Sequence, residues 1–251
     1  DHLPESLKAT IAKFPPGTLQ FEIGVQTLNP EVQQLISRKQ DNEKTALNLQ
    51  WLRDHTHAHL HADLIIGLPG EDMASFAHGF DQLIAMRPHE VQVGILKRLR
   101  GSPIIRHTDG FELRFNPLPP YDILATRQID FATLRRLNRF ARYWDLVANS
   151  GRFKRTLPLL LGNAPFDHFM QLSDWLYAHT DQTDRIQLSR LFNLIYRAGV
   201  EALHLDANEL AALLSEDFDR SPLKGKPNFS GSASVKSPGQ FTTRQHRHTE
   251  E

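Results

Sequence analysis

Three polar residues stand where an α/β chain can hold a ligand: Gln26, Arg38 and Asp63. Gln26 closes an alternating stretch, Leu19–Gln26, and Asp63 lies inside a second strand-like stretch, 57–67. Arg38 follows the helical segment between them. In parallel β/α sheets, ligands sit at the carboxyl ends of the strands. An amide and a carboxylate side by side there can take the hydroxyls of a ribose diol. A guanidinium nearby can take a carboxylate through two parallel hydrogen bonds. A polar sheet face plus an unrelated surface arginine is the plainer alternative that spacing leaves open.

The elements that must position these groups follow from periodicity. Leu19, Phe21, Ile23 and Val25 alternate with Gln20, Glu22, Gly24 and Gln26, which predicts a strand with one apolar face. Asn29-Pro30 is an N-cap followed by proline at the first helical position, and Asp41 opens a second helix at about 41–54. A strand over 57–67 puts His61, Asp63 and Ile65 on one face. A helix over about 73–86 and a strand over 91–97 follow. A short helix at 5–14 precedes them all. Strand, helix, strand, helix, strand argues for βαβ units and a parallel sheet. From about 121 the spacing becomes helical, over 131–148, 152–161, 165–179, 186–203 and 206–216, with no strong strand. The organisation expected is an α/β domain over 1–115, a helical domain over 116–220 and a disordered tail over 221–251, where Ser, Gly, Pro and Lys replace bulky apolar residues.

Composition excludes several chemistries. The 251 residues include no cysteine, so this chain supplies no thiolate nucleophile, disulfide or thiolate metal ligand. With 29 basic and 29 acidic residues, nothing draws it generally to nucleic acid or to an anionic membrane. No apolar run approaches a membrane span, no signal peptide is visible, and the cytoplasm is the expected location. The chain opens Asp1-His2-Leu3-Pro4 without methionine, as a fragment or processed piece would. Alternate histidines, His57, His59 and His61, can share a strand face and hold a metal; the competing reading makes His59 and His61 interior polar groups bonded to neighbours, with His55 and His57 at the strand entrance. Gly67-Leu68-Pro69-Gly70 lacks the Lys-Ser/Thr of a phosphate loop. Glu22 reads as a polar interior side chain, with a general base as the alternative, and Lys97 as a strand-end residue within reach of a substrate or cofactor. Arg135, Arg136, Arg139 and Arg142 read as a solvated helix face, with an acidic partner or RNA as the alternative.

Phe21-Glu22-Ile23-Gly24-Val25-Gln26-Thr27 and Asp63-Leu64-Ile65-Ile66-Gly67-Leu68-Pro69-Gly70-Glu71-Asp72, with Ser37-Arg38-Lys39 between, resemble the fourth and fifth strands of radical S-adenosylmethionine (SAM) enzymes. The resemblance is nearest to the oxygen-independent coproporphyrinogen oxidase type and to cobalamin-binding members. Val93–Lys97 through Gly101-Ser102-Pro103 is similar to the sixth strand. Pro119-Pro120-Tyr121 and the stretch ending Asn149-Ser150-Gly151-Arg152-Phe153 resemble a helical domain of unknown function that follows the radical domain in a cobalamin-binding subgroup.

This resemblance implies an α/β domain followed by an all-α one, the first being the second half of a partial, TIM-like βα barrel. It implies S-adenosylmethionine as cofactor, with Gln26 and Asp63 on its ribose, Arg38 on its methionine carboxylate, and Ile65 also in the cofactor site. It implies a 4Fe-4S cluster and, in the subgroup, cobalamin. The family's CxxxCxxC loop has no counterpart here, so this chain alone is expected to be inactive. The substrate, small or macromolecular, is not indicated. A non-catalytic partner-binding module built on a degenerate barrel is the alternative.

Overall fold

A short helix, α1 (Glu5–Ile11), leads into three parallel strands ordered β1 (Gln20–Gln26), β2 (His59–Ile66) and β3 (Glu90–Ile95). Two helices cross from β1 to β2: α2 (Pro30–Leu35) and α3 (Asn42–His55); α4 (Met73–Ala85) crosses from β2 to β3. Each start is fixed locally. Asn29 accepts from the Glu31 and Val32 amides, Asp41 from Lys44, and Asp72 from Ser75. α1 ends three residues before the expected 14, ahead of Pro15-Pro16.

One face of the sheet carries Val25, Leu60, Ala62, Leu64, Ile66 and Val91, all buried. Leu49 and Leu52 of α3 and Phe76, Phe80 and Leu83 of α4 are buried with them. Each such large side chain contributes roughly 1.5–3 kcal/mol relative to exposure. The opposite face carries Glu22, Gly24, His61, Asp63, Ile65 and Gln92 and is half-buried to exposed. The sheet therefore presents an open polar face, and the candidate ligand residues lie along it.

A short 3-10 helix, Pro103–His107, and an antiparallel pair, β4 (Arg114–Phe115) and β5 (Ile123–Ala125), follow β3. Nothing in the sequence signals this pair, because strands of two and three residues show no alternation. It matters to the sheet. Gly67, just beyond β2, has φ +89°, and a Cβ there would lie 2.6 Å from Ile123 Cγ2. Both the backbone angle and the close approach demand glycine.

The structure, a computed structural model, describes residues 2–223 and Phe229 and divides into two compact units after Asn138, within α5 (Phe131–Val147). The second unit continues with α6 (Leu157–Leu161), α7 (Pro165–Thr180), α8 (Leu188–Glu201) and α9 (Ala207–Asp219). Its core is aromatic: Phe140 packs on Phe166 and Phe169, and Phe192 on Phe153 and Phe218, with centroids 4.7–5.2 Å apart. Asp217 of α9 accepts from the Arg155 and Thr156 amides and from Thr156 Oγ1, tying down the chain entering α6. The expected tail falls almost wholly outside the described residues. No described helix is long and apolar enough to cross a membrane.

Candidate functional site

Gly24 and Asp63 are register partners on β1 and β2, so Asp63 faces a residue without a side chain. Asp63 Oδ1 accepts the Val25 N–H at 3.1 Å. Arg38 reaches the same place from the end of α2. Ser37 takes φ +58°, and the Arg38 amide donates back to Gln33 O, turning the chain sharply at the helix end. Arg38 Nη2 and Asp63 Oδ1 each lie 3.6 Å from the position a Cβ on Gly24 would occupy. A guanidinium and a carboxylate thus converge above a bare Cα. Burial pushes the Asp63 carboxyl above its usual range, against the Val25 N–H and the Arg38 charge, which favour ionisation.

Behind Arg38 runs a chain of side-chain amides. Arg38 Nε donates to Gln40 Oε1 at 2.9 Å, and Gln40 Nε2 donates to Asn42 Oδ1 at 3.0 Å. Asn42 Nδ2 donates to Leu28 O at 2.7 Å. Gln33, buried, donates through Nε2 to Thr27 O and Asn42 Oδ1. A second link ties the ends of β1 and β2: Thr27 Oγ1 donates to Glu71 Oε1 at 2.6 Å. Thr27 and Glu71 lie within the two stretches that carry the resemblance, but the sequence assigns neither a role, and Gln33, Gln40 and Asn42 do not stand out at all. Gln40, Asn42 and Glu71 are ordinary polar residues until the fold brings them to the strand ends.

Gln26 ends β1 with φ +63°. A register shift between Gly24 and Gln26 pairs it with Leu64 instead of Ile65. No described hydrogen bond joins it to Arg38 or Asp63. Ile65 is half-buried on the Asp63 face, opposite Gly94. The structure therefore brings Arg38 and Asp63 together, sets Ile65 one step along the same face, and leaves Gln26 at the strand end.

The other singled-out residues find different settings. His59 is buried, with Nε2 3.2 Å from Glu90 Oε1, while His57 is exposed and precedes β2. Among the described residues, no group of three or more His, Cys, Asp or Glu side chains is arranged to hold a metal. Glu22 is exposed, and Lys97 is exposed and bridged through its backbone to Asp122. A cavity of about 640 Å³ lies by Leu35, Ser37, Gly70, Arg106 and Phe111. Arg106 Nη2 there donates to Leu35 O and Ser37 Oγ, closing the C-terminal end of α2.

The model of the family described as "Protein of unknown function (DUF4080)" matches residues 109–237, just over half of the 251. The oxygen-independent coproporphyrinogen III oxidase of Paracoccus denitrificans is 37% identical over 75 residues, which are 30% of this chain and 17% of that enzyme. The Pseudomonas aeruginosa enzyme of the same name is 34% identical over 77 residues, 31% of this chain and 17% of its own. The chain is related to these oxidases over about a third of its length, and the match spans about a sixth of theirs. A solved structure, the coproporphyrinogen III oxidase of Escherichia coli, described as a radical SAM enzyme, is 24% identical with a TM-score of 0.38, covering 52% of this chain and 27% of that one.

Proposed function

We propose, for a chain that belongs to the family described as Protein of unknown function (DUF4080), a role in holding S-adenosylmethionine within a radical SAM enzyme. The observation that carries the reading is the convergence of Arg38 and Asp63 over Gly24. The relationship to oxygen-independent coproporphyrinogen III oxidases supports it.

The donor set suits the cofactor. Arg38 offers a planar cation to the methionine carboxylate. Asp63, with Oδ1 on the Val25 amide, keeps lone pairs for a ribose hydroxyl. Gln26 offers an amide to the same ribose from the strand end, and Ile65 an apolar surface to the adenine. The bare Cα of Gly24 is the floor on which the ligand rests, since a side chain there would enter the space between the two charged groups.

With a 4Fe-4S cluster, bound S-adenosylmethionine supplies radical chemistry by reductive cleavage. This chain has no cysteine, so the cluster's thiolates belong to residues outside it. The part played here is binding and orientation. Cobalamin has no support in these residues and stays outside the reading, as does the identity of the substrate. We place the protein in the cytoplasm.

The test is calorimetric binding of S-adenosylmethionine to the whole protein. Asp63→Asn and Arg38→Ala should each weaken it about tenfold or more, since each removes a charge-assisted hydrogen bond. Undiminished binding by both variants would refute the assignment of these residues, and no binding by the wild-type protein would favour a non-catalytic module.

A further inference from the structure

We infer that Gln40 and Asn42 are positioning residues that fix which edge of the Arg38 guanidinium meets the ligand. The inference rests on the reading of Arg38 as the carboxylate-binding group. A guanidinium can grip a carboxylate through its side edge, Nε with one Nη, or through its end, the two Nη atoms. Gln40 Oε1 takes the Nε–H at 2.9 Å and closes the side edge. The end remains, and Nη2 is the Arg38 atom nearest the position a Gly24 Cβ would take.

The polarity of this arrangement is set by the backbone. An amide side chain can be turned either way around, so something must decide that Gln40 shows oxygen to Arg38. Its Nε2 faces two acceptors, Asn42 Oδ1 at 3.0 Å and Thr27 O at 3.5 Å. Turned around, it would set oxygen against oxygen there and N–H against N–H at Arg38. Asn42 is fixed in turn: Nδ2 donates to Leu28 O at 2.7 Å, while Oδ1 receives both Gln40 and Gln33. Two backbone carbonyls just past β1 thus orient the cation through consecutive amides. A site ordered before binding needs less ordering when the ligand arrives.

The test uses the whole protein and two ligands, S-adenosylmethionine and 5′-methylthioadenosine, which has the nucleoside but no carboxylate. Gln40→Met keeps the length and removes the acceptor. It should weaken S-adenosylmethionine binding by about 3- to 10-fold, the effect of one hydrogen bond, and leave 5′-methylthioadenosine unchanged. In an Arg38→Ala background it should cause no further loss. A ligand-free readout is the Arg38 Nε–H signal in nitrogen-resolved NMR: slow to exchange with solvent in the wild type, fast in Gln40→Met and in Asn42→Ala. Equal loss for both ligands, loss that persists without Arg38, or an unchanged Nε–H signal overturns the inference. If Arg38→Ala weakens S-adenosylmethionine and Gln40→Met does not, the inference fails alone. If Arg38→Ala has no effect, the underlying reading fails and takes the inference with it.

Discussion

Glu71 is the group whose perturbation gives the most quantitative check on the strand-end architecture. It is 2% exposed, accepts Thr27 Oγ1 at 2.6 Å, and has its second oxygen buried without a partner. Burial outweighs the Thr27 and Ser75 hydrogen bonds and raises its pKa from 4.5 to about 7. The folded state therefore holds this proton where the unfolded state has released it. The stability Glu71 contributes is fully present below about pH 4.5 and is lost as pH rises through about 7. The difference between 4.5 and about 7, at about 1.4 kcal/mol per tenfold change in proton affinity, gives about 3.5 kcal/mol in all, of which about 3 falls between pH 4 and pH 8. Glu71→Gln removes the titration and keeps the oxygen that accepts from Thr27. Its amide nitrogen has no acceptor, a pH-independent penalty of roughly 1–3 kcal/mol. The expected result concerns the difference between the two proteins: wild type minus Glu71→Gln should fall by about 3 kcal/mol between pH 4 and pH 8. Urea unfolding across that range, followed by amide exchange in peptides covering β1 and β2, measures it. Stability profiles that run parallel to within about 1 kcal/mol would refute the reasoning.

Three further outcomes follow from the same geometry. Gly24→Ala places a methyl 3.6 Å from both Arg38 Nη2 and Asp63 Oδ1, ordinary contact distance; thermal stability should stay within about 1 kcal/mol while calorimetry shows S-adenosylmethionine affinity reduced about tenfold or more. Asp63 protonates at higher pH than an ordinary carboxylate, so affinity should fall on acidification earlier than in the range usual for aspartate, and Asp63→Asn should flatten that arm of the titration. Asp217→Ala frees the Arg155 and Thr156 amides and the Thr156 hydroxyl, costing the second unit about 2–4 kcal/mol, visible in urea unfolding followed by Trp144 and Trp175 fluorescence.

The parts of the fold written in local signals were legible. The alternation of 19–26, the caps Asn29 and Asp41, and the helical spacing from about 73 locate β1 and the starts of α2, α3 and α4 to within a residue. Helical spacing locates α5 and α7 equally well, because an apolar stripe every three or four residues needs no distant partner to declare itself. What depends on partners far along the chain was not legible. β4 and β5 exist through pairing with each other. The shift that sets Gln26 against Leu64 is a property of two strands, and the sequence of either alone gives alternation without a bulge. Thr27 and Glu71 meet across 44 positions, and Gln33 and Asn42 act only once α2 and α3 bring them together. The family resemblance implies the approach of Arg38 to Asp63, whereas Gly24, which makes room for it, is by alternation only one polar-face residue among four.

A crystal structure of the whole protein with S-adenosylmethionine bound tests the central claim most directly. The methionine carboxylate should lie against the Nη end of Arg38 and a ribose hydroxyl against Asp63, with the ligand resting over Gly24. A ligand bound elsewhere on the protein, or bound here with its carboxylate clear of Arg38, would contradict the account.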